Sequence, residues 1–209
     1  LEEFVNLPKT KRGQKTLDNI VRSAEGLFFE KGYHATSIID ITNEASIALG
    51  TFYIYFKDKY SLYKYLLLSY SHDIRKAIAV DILPTHTRFE AEKIGLKAFL
   101  QYIRDHKHVY NIIWESLYID KKLFIEYYED FAGRYAHGLA KAQKVGEVID
   151  VDTTILSYFL MGVSNFIGLK YVMFEEDAED NLDDIVEKVM DILEAGMFLQ
   201  SKKKPPLKE

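Results

Sequence analysis

Residues 45–57 read ASIALGTFYIYFK. The run is too aromatic for an ordinary surface and too irregular for a core stripe, and the fold around it turns on what it is. Gly50 costs a helix about 1 kcal/mol of propensity, so a helix that carries it needs a gain at its surface. Without a side chain, the backbone there can approach whatever the helix faces. Thr51 adds one hydroxyl and one methyl. Phe52 and Phe56, four apart, share a side and lock the segment onto its neighbours. Tyr53 and Tyr55 are expected on other faces, each pairing a flat apolar body with a hydroxyl that can donate to an anionic oxygen.

Upstream, 36-TSIIDITNEA-45 opens with Thr36 or Ser37 as a cap and carries Asp40 in the first turn, near the positive end of the helix dipole. Ile38, Ile41 and Ala45 face one way. A short helix here, a tight turn at 46–47 and a second short helix over 48–55 give the outline of a helix-turn-helix. Longer helices flank it. A first, over 15–31, has its stripe at Leu17, Ile20, Val21, Ala24, Leu27 and Phe28 and ends at Gly32. A fourth, capped by Asp58, passes through Leu62, Leu66, Ser69, Tyr70 and Ile74 towards Val80. Three- and four-residue spacing predicts five more at 88–104, 108–117, 121–145, 153–174 and 182–200, with an acidic connector at 175–181 and a frayed tail at 202–209. The fold class is all-α, about nine helices.

With 209 residues and 48% hydrophobic content the chain can bury a sizeable core. It has no cysteine, which excludes disulfides, thiolate zinc sites and a cysteine nucleophile and suits a reducing, cytoplasmic setting. The apolar run at 153–174 is interrupted by Thr, Ser, Asn and Lys, so no membrane span is expected, and the first eight residues lack the pattern of a signal peptide. Net charge is −5, yet residues 9–64 hold nine Lys/Arg against six Asp/Glu, and four of those cations lie in 9-KTKRGQK-15. A mildly basic module on an acidic body is a footprint for an anionic partner.

The stretch 32-GYHATSIIDITNEASIALGTFYIYFKDKYSLY-63 closely resembles the amino-terminal DNA-binding domain of the TetR/AcrR (tetracycline-repressor) family of transcriptional regulators. The resemblance implies a helix-turn-helix domain over 9–60 and a ligand-binding and dimerisation domain over 61–201. It also implies that residues at the positions of Thr36, Tyr53, Tyr55 and Lys59 grip phosphates, with Ser37 and Lys57 beside them. Ala48, Leu49, Gly50 and Thr51 would face the major groove, so that phosphate contacts set register and base contacts set sequence. Three positions depart from the family pattern. Ser46 stands for the usual turn glycine, Ala48 for a capping serine and Leu49 for a groove-facing lysine, which shifts readout towards thymine methyls, Thr51 and DNA shape.

The body is rich in aromatics, and tyrosine or tryptophan needs a partner for its polar atom, which suggests a cavity with apolar walls and a few polar fixtures. Tyr70, Phe99, Tyr102, Trp114, Tyr118, Tyr128 and Phe166 are its candidate lining, with Asn165 nearby. The resemblance implies an apolar or amphipathic small-molecule inducer there. It also implies a homodimer through helices eight and nine, whose stripes run Ile155, Tyr158, Phe159, Gly162, Phe166 and Leu169, and Leu182, Ile185, Val186, Val189, Leu193 and Met197. The histidines of 106-HKH-108 lack the spacing of helical metal ligands, and 175-EEDAEDNLDD-184 lacks that of a calcium loop, so no metal and no cofactor is expected. No nucleophile–base pairing or phosphate loop points to an enzyme. The expected function is a ligand-responsive repressor on a (pseudo)palindromic double-stranded DNA operator. The alternative is a DNA-binding regulator that acts constitutively or through a protein partner.

Overall fold

The computed structural model describes residues 3–83, 87–174 and 181–195. Within them lie α1 (Lys11–Ala35), α2 (Ile38–Glu44), α3 (Leu49–Tyr55), α4 (Lys59–Ala79), α5 (Arg88–Asp105), α6 (His108–Ile119), α7 (Lys121–Lys144), α8 (Thr153–Gly168), a π-helical segment (Leu169–Phe174) and α9 (Leu182–Ala195). The expected connector at 175–180, the end of the ninth helix with Met197, and the tail at 202–209 lie outside the described residues. No described helix is long and apolar enough to cross a membrane.

Side-chain caps set most of the helix starts. Ser37 and Asp40 form a reciprocal capping box on α2, Asp58 and Ser61 another on α4, and Thr87 and Glu90 a third on α5. Helix α1 begins four residues earlier than the periodicity indicates, because the Thr10 hydroxyl accepts the Gly13 N–H at 3.0 Å. Lys11, Arg12 and Lys15 therefore sit in the first turns of a helix. In the turn between α2 and α3, Ser46 adopts φ 52°, the left-handed conformation that a glycine would enter without strain.

Gly32 does not end α1 but kinks it. At φ 80° and ψ 165° it breaks the helix before a last short turn through Ala35. The groups freed at the kink are taken by other helices. The Tyr33 N–H donates to Glu115 Oε1 of α6 at 2.7 Å, and Lys59 Nζ at the start of α4 donates to the carbonyls of Tyr33 and Thr36, both at 2.6 Å.

One apolar cluster runs from the first helices into the body, joining Leu17, Ile20, Ile41, Phe52 and Phe56 through Leu62 and Leu66 to Ile103, Ile112 and Tyr127. A second cluster packs Leu182, Ile185, Val186, Val189 and Met190 of α9 onto Leu96 and Leu100 of α5. The stripe of α9 that the sequence offered to a dimer, Val189 included, is thus spent inside one protomer. The single eighth helix expected over 153–174 is also corrected. The Tyr110 hydroxyl donates to the Asn165 carbonyl and stands where a Cβ on Gly168 would lie, and from Leu169 the backbone passes into π register.

A Cβ at position 32 would sit 2.9 Å from Glu115 Oε1 on a backbone with positive φ. Gly32→Ala is expected to destabilise the fold by about 1–2 kcal/mol, read as a lower urea midpoint with an unchanged slope.

Candidate nucleic-acid interface and ligand cavity

Helix α3 has two faces with opposite fates. Phe52 and Phe56 are fully buried with ring centroids 5.8 Å apart, and Tyr55 is buried beside them. The other face is open: Leu49, Gly50, Tyr53 and Ile54 are exposed, and a Cβ added at Gly50 would meet nothing within 4 Å. Ser37, Ala48 and Lys57 are also exposed and Thr51 is half-buried. The amino-terminal segment braces the far end of the helix. Val5 enters the core, and Asn6 donates to the carbonyls of Tyr55 at 2.8 Å and Ile54 at 2.9 Å.

Three of the residues expected to grip phosphate have their polar atoms engaged within the fold. Thr36 is 1% exposed, and its hydroxyl donates to the Gly32 carbonyl at 2.8 Å, so it stitches the kink. Tyr55 points inward, because residue 55 lies three beyond Phe52 on the same side, and its hydroxyl donates to the Gly13 carbonyl at 3.1 Å. Lys59 Nζ lies between two carbonyls and 4.1 Å from the Tyr33 ring centroid, and burial lowers its pKa from the usual lysine value. These side chains position the helix-turn-helix. Sequence reasoning missed two exposed apolar residues on the open side, Ile54 and Ile39. The signal for Ile54 was its place one step off the buried 52, 55 and 56 set.

In the body, α4 to α8 enclose a cavity of about 270 Å³. Its walls are mostly apolar: Ile74 and Ile78 from α4, Leu96, Phe99 and Ile103 from α5, Tyr110 and Ile113 from α6, Tyr127, Tyr128 and Phe131 from α7, and Met161 from α8. The polar lining is Arg75, Arg88, Glu92, Arg134, Tyr135, Ser164 and Asn165. Of the lining expected from sequence, Phe99 and Tyr128 are there, with Asn165. Tyr70 is buried elsewhere and donates to Glu25, Tyr102 packs on His106 with ring centroids 4.4 Å apart, and Trp114, Tyr118 and Phe166 lie on outward faces. The inward stripe of α6 is Val109, Tyr110, Ile112, Ile113 and Ser116, which turns 114 and 118 away.

The profile of a family described as bacterial regulatory proteins, tetR family, matches residues 20–66, the span that holds α2, α3 and their buried supports. Over that span the chain is similar to the tetR family. A probable HTH-type transcriptional regulator, YttP of Bacillus subtilis (strain 168), is 26% identical over 113 residues, which is 53% of this chain and 55% of that protein. The chain spans about half the length, or less, of the curated relatives it matches. Among solved structures, the fatty acid degradation regulator FadR from Bacillus halodurans superposes with a TM-score of 0.76 at 19% identity, covering 91% of this chain and 98% of that one. FadR from Bacillus subtilis, solved in complex with stearoyl-CoA, gives 0.66 at 18% identity, covering 87% and 100%. At such identities the shared property is the fold.

Between head and body lies a cluster of ionisable groups. Glu25 of α1 accepts the Tyr70 hydroxyl at 2.7 Å and lies 3.3 Å from His108 Nε2, while His106 stacks on His108. Burial raises the Glu25 carboxyl, but the hydrogen bonds from His108 and Tyr70, with the charges of both histidines, bring it below the ordinary carboxylate value. Burial holds His106 below the usual imidazole value. Among the described residues, no group of three or more His, Asp or Glu could hold a metal.

A carboxyl lowered in the folded state stabilises the fold above its unfolded pKa, and that stability is lost as pH falls through the folded value. Glu25→Gln is therefore expected to be about 1–2 kcal/mol less stable than the parent at pH 7. Its urea midpoint should then fall less than the parent's on going to acid below the ordinary carboxylate range.

Proposed function

We propose that the chain is a homodimeric transcriptional repressor whose head, residues 9–60, reads a (pseudo)palindromic double-stranded DNA operator. A small apolar or amphipathic inducer, bound in the body over 61–201, would release it. The observation that carries this reading is the open face of α3: side-chain-free at Gly50, flanked by Leu49, Thr51 and Tyr53, and backed by wholly buried phenylalanines. A helix held so firmly on one side and bare on the other suits insertion into a major groove. Ser37, Tyr53 and Lys57 would contact phosphates, and Ala48, Leu49, Gly50 and Thr51 base edges. Thr36, Tyr55 and Lys59 would act at one remove, by fixing the angle of α3.

The cavity supports the inducer, and the stearoyl-CoA in the B. subtilis neighbour adds an example of an apolar-chained ligand on this fold. Helix α4 links the two events. Its 21 residues make a rod about 30 Å long, with Lys59 against α1 at one end and Ile74, Arg75 and Ile78 on the cavity towards the other. A ligand that prefers one tilt of this rod shifts the spacing of two heads and lowers their joint affinity for DNA.

A dimer surface is supported by the outer stripe of α8, where Ile155, Tyr158, Phe159 and Phe166 are exposed and Gly162 faces open space, with Ile192 of α9 also exposed. An isologous contact along this stripe would give the two-fold symmetry a palindrome requires.

Tyr53→Phe and Lys57→Ala should weaken binding to specific and random duplexes alike, and the lysine change should flatten the slope of log affinity against log salt by about 0.9. Unaltered affinity of both variants in a salt titration refutes these contacts. Phe166→Glu should leave a folded monomer in sedimentation velocity, whereas Val189→Asp should unfold the protomer. A dimer that survives Phe166→Glu and a charge at Tyr158 places the interface elsewhere.

A further inference from the structure

We propose that the occupant of the body cavity carries a single carboxylate head on an apolar chain, and that Arg75 and Arg134 receive that head. The proposal rests on the cavity being the effector site and adds the chemistry of what fills it. Its basis is how the polar lining is already paired.

One polar set is saturated. Arg88 donates through Nε and Nη2 to Glu92 Oε1, the Tyr135 hydroxyl donates to Glu92 Oε2, and the guanidinium carbon lies 5.1 Å from the centre of the Tyr135 ring. Both carboxylate oxygens are occupied, the charges cancel, and the Arg88 and Glu92 side chains are only 19% and 17% exposed. This set is wall.

The other set is not balanced. Arg75 and Arg134 both line the cavity and share one carboxylate, Asp130, which does not line it. Arg75 Nη1 reaches Asp130 Oδ2 at 3.0 Å, and Arg134 Nε reaches Oδ1 at 3.1 Å and Oδ2 at 3.2 Å. Two cations on one anion leave one positive charge in excess. A guanidinium has five N–H donors, and both arginines keep donors that contact no other described group. With side-chain exposures of 30% and 65%, this pair stands at the mouth rather than in the wall.

A third feature lies deeper. Tyr127 lines the cavity, is 7% exposed, and its hydroxyl has no partner among the described residues, although no buried side-chain polar atom there is left unsatisfied. The oxygen therefore opens onto the cavity. Burial raises its pKa far above the usual phenol value, so it remains a neutral donor at any working pH.

An apolar wall, an excess cationic charge at the mouth and an inner neutral donor select against an amine and favour a carboxylate, whose two oxygens match the guanidinium fork. A cavity of about 150 Å³ takes benzene, which scales this one to about ten non-hydrogen atoms beyond the head.

Decanoate, 1-decanol and decylamine, titrated calorimetrically into the full chain at pH 7.5, test this. Decanoate should bind at least tenfold more tightly than decanol, with decylamine weakest. The Arg75→Gln/Arg134→Gln double variant should lose that preference while keeping its affinity for decanol, and Asp130→Asn should bind decanoate more tightly than the parent. If the double variant does not fold, Arg134→Gln alone, on a largely exposed side chain, should cut the preference severalfold. Equal binding of acid and alcohol by the parent overturns the proposed head group, as does a preference that persists without the arginines. Binding of none of the three overturns the effector cavity itself along with it.

Discussion

The kink at Gly32 is the joint on which the arrangement depends. A helix that simply ended there would offer its last carbonyls to water. Here the backbone turns aside at positive φ, and Lys59 of α4 takes the carbonyls of Tyr33 and Thr36 while Glu115 of α6 takes the Tyr33 N–H. A charge-assisted bond contributes more than a neutral one, and these three tie the end of α1 to two other helices, α4 and α6, at one point. The orientation of α1 relative to the body is set there, and with it the orientation of α2 and α3, which pack on α1. At this joint a lysine and a glutamate act as caps.

Away from the joint, the body leaves space unfilled. Protein interiors normally pack to the density of organic crystals, so a void of about 270 Å³ between five helices needs a reason. Its walls are tied to one another by contacts among the lining residues, Tyr110 to the Asn165 carbonyl and Tyr135 to Glu92, and α9 packs on α5 beside them. The same contacts explain why the apolar stripe of α9 is unavailable to a second protomer while that of α8 stays bare.

Much of the head was legible in the sequence, because there local chemistry and fold agree. Thr36 or Ser37 offers a cap with Asp40 in the first turn, Phe52 and Phe56 a buried pair, and Gly50 a bare surface; Ser37 is the cap, and the other two are found so. What failed was the destination of polar atoms on residues with both an apolar body and a polar tip. Thr36, Tyr55 and Lys59 have the right chemistry for phosphate, yet each found an internal carbonyl, that of Gly32, Gly13 and Thr36 respectively, and local pattern does not reveal which carbonyls the fold leaves free. In the body, aromatic type alone could not separate the inward face of α6 from the outward one. Nothing in the local pattern around Arg75 and Arg134 marks them as cavity lining, and only the fold brings them to one aspartate.

Trp114 is the chain's only tryptophan. It sits outside the cavity, but it touches the wall from behind: its indole packs edge-on against Tyr110, ring centroids 6.3 Å apart, and lies near the Tyr128 hydroxyl, and both tyrosines line the cavity. At 42% exposure its emission is sensitive to solvent as well as to those two neighbours. Displacement of either tyrosine by an occupant therefore alters the environment of a single intrinsic fluorophore, and the protein carries its own optical gauge of how full it is.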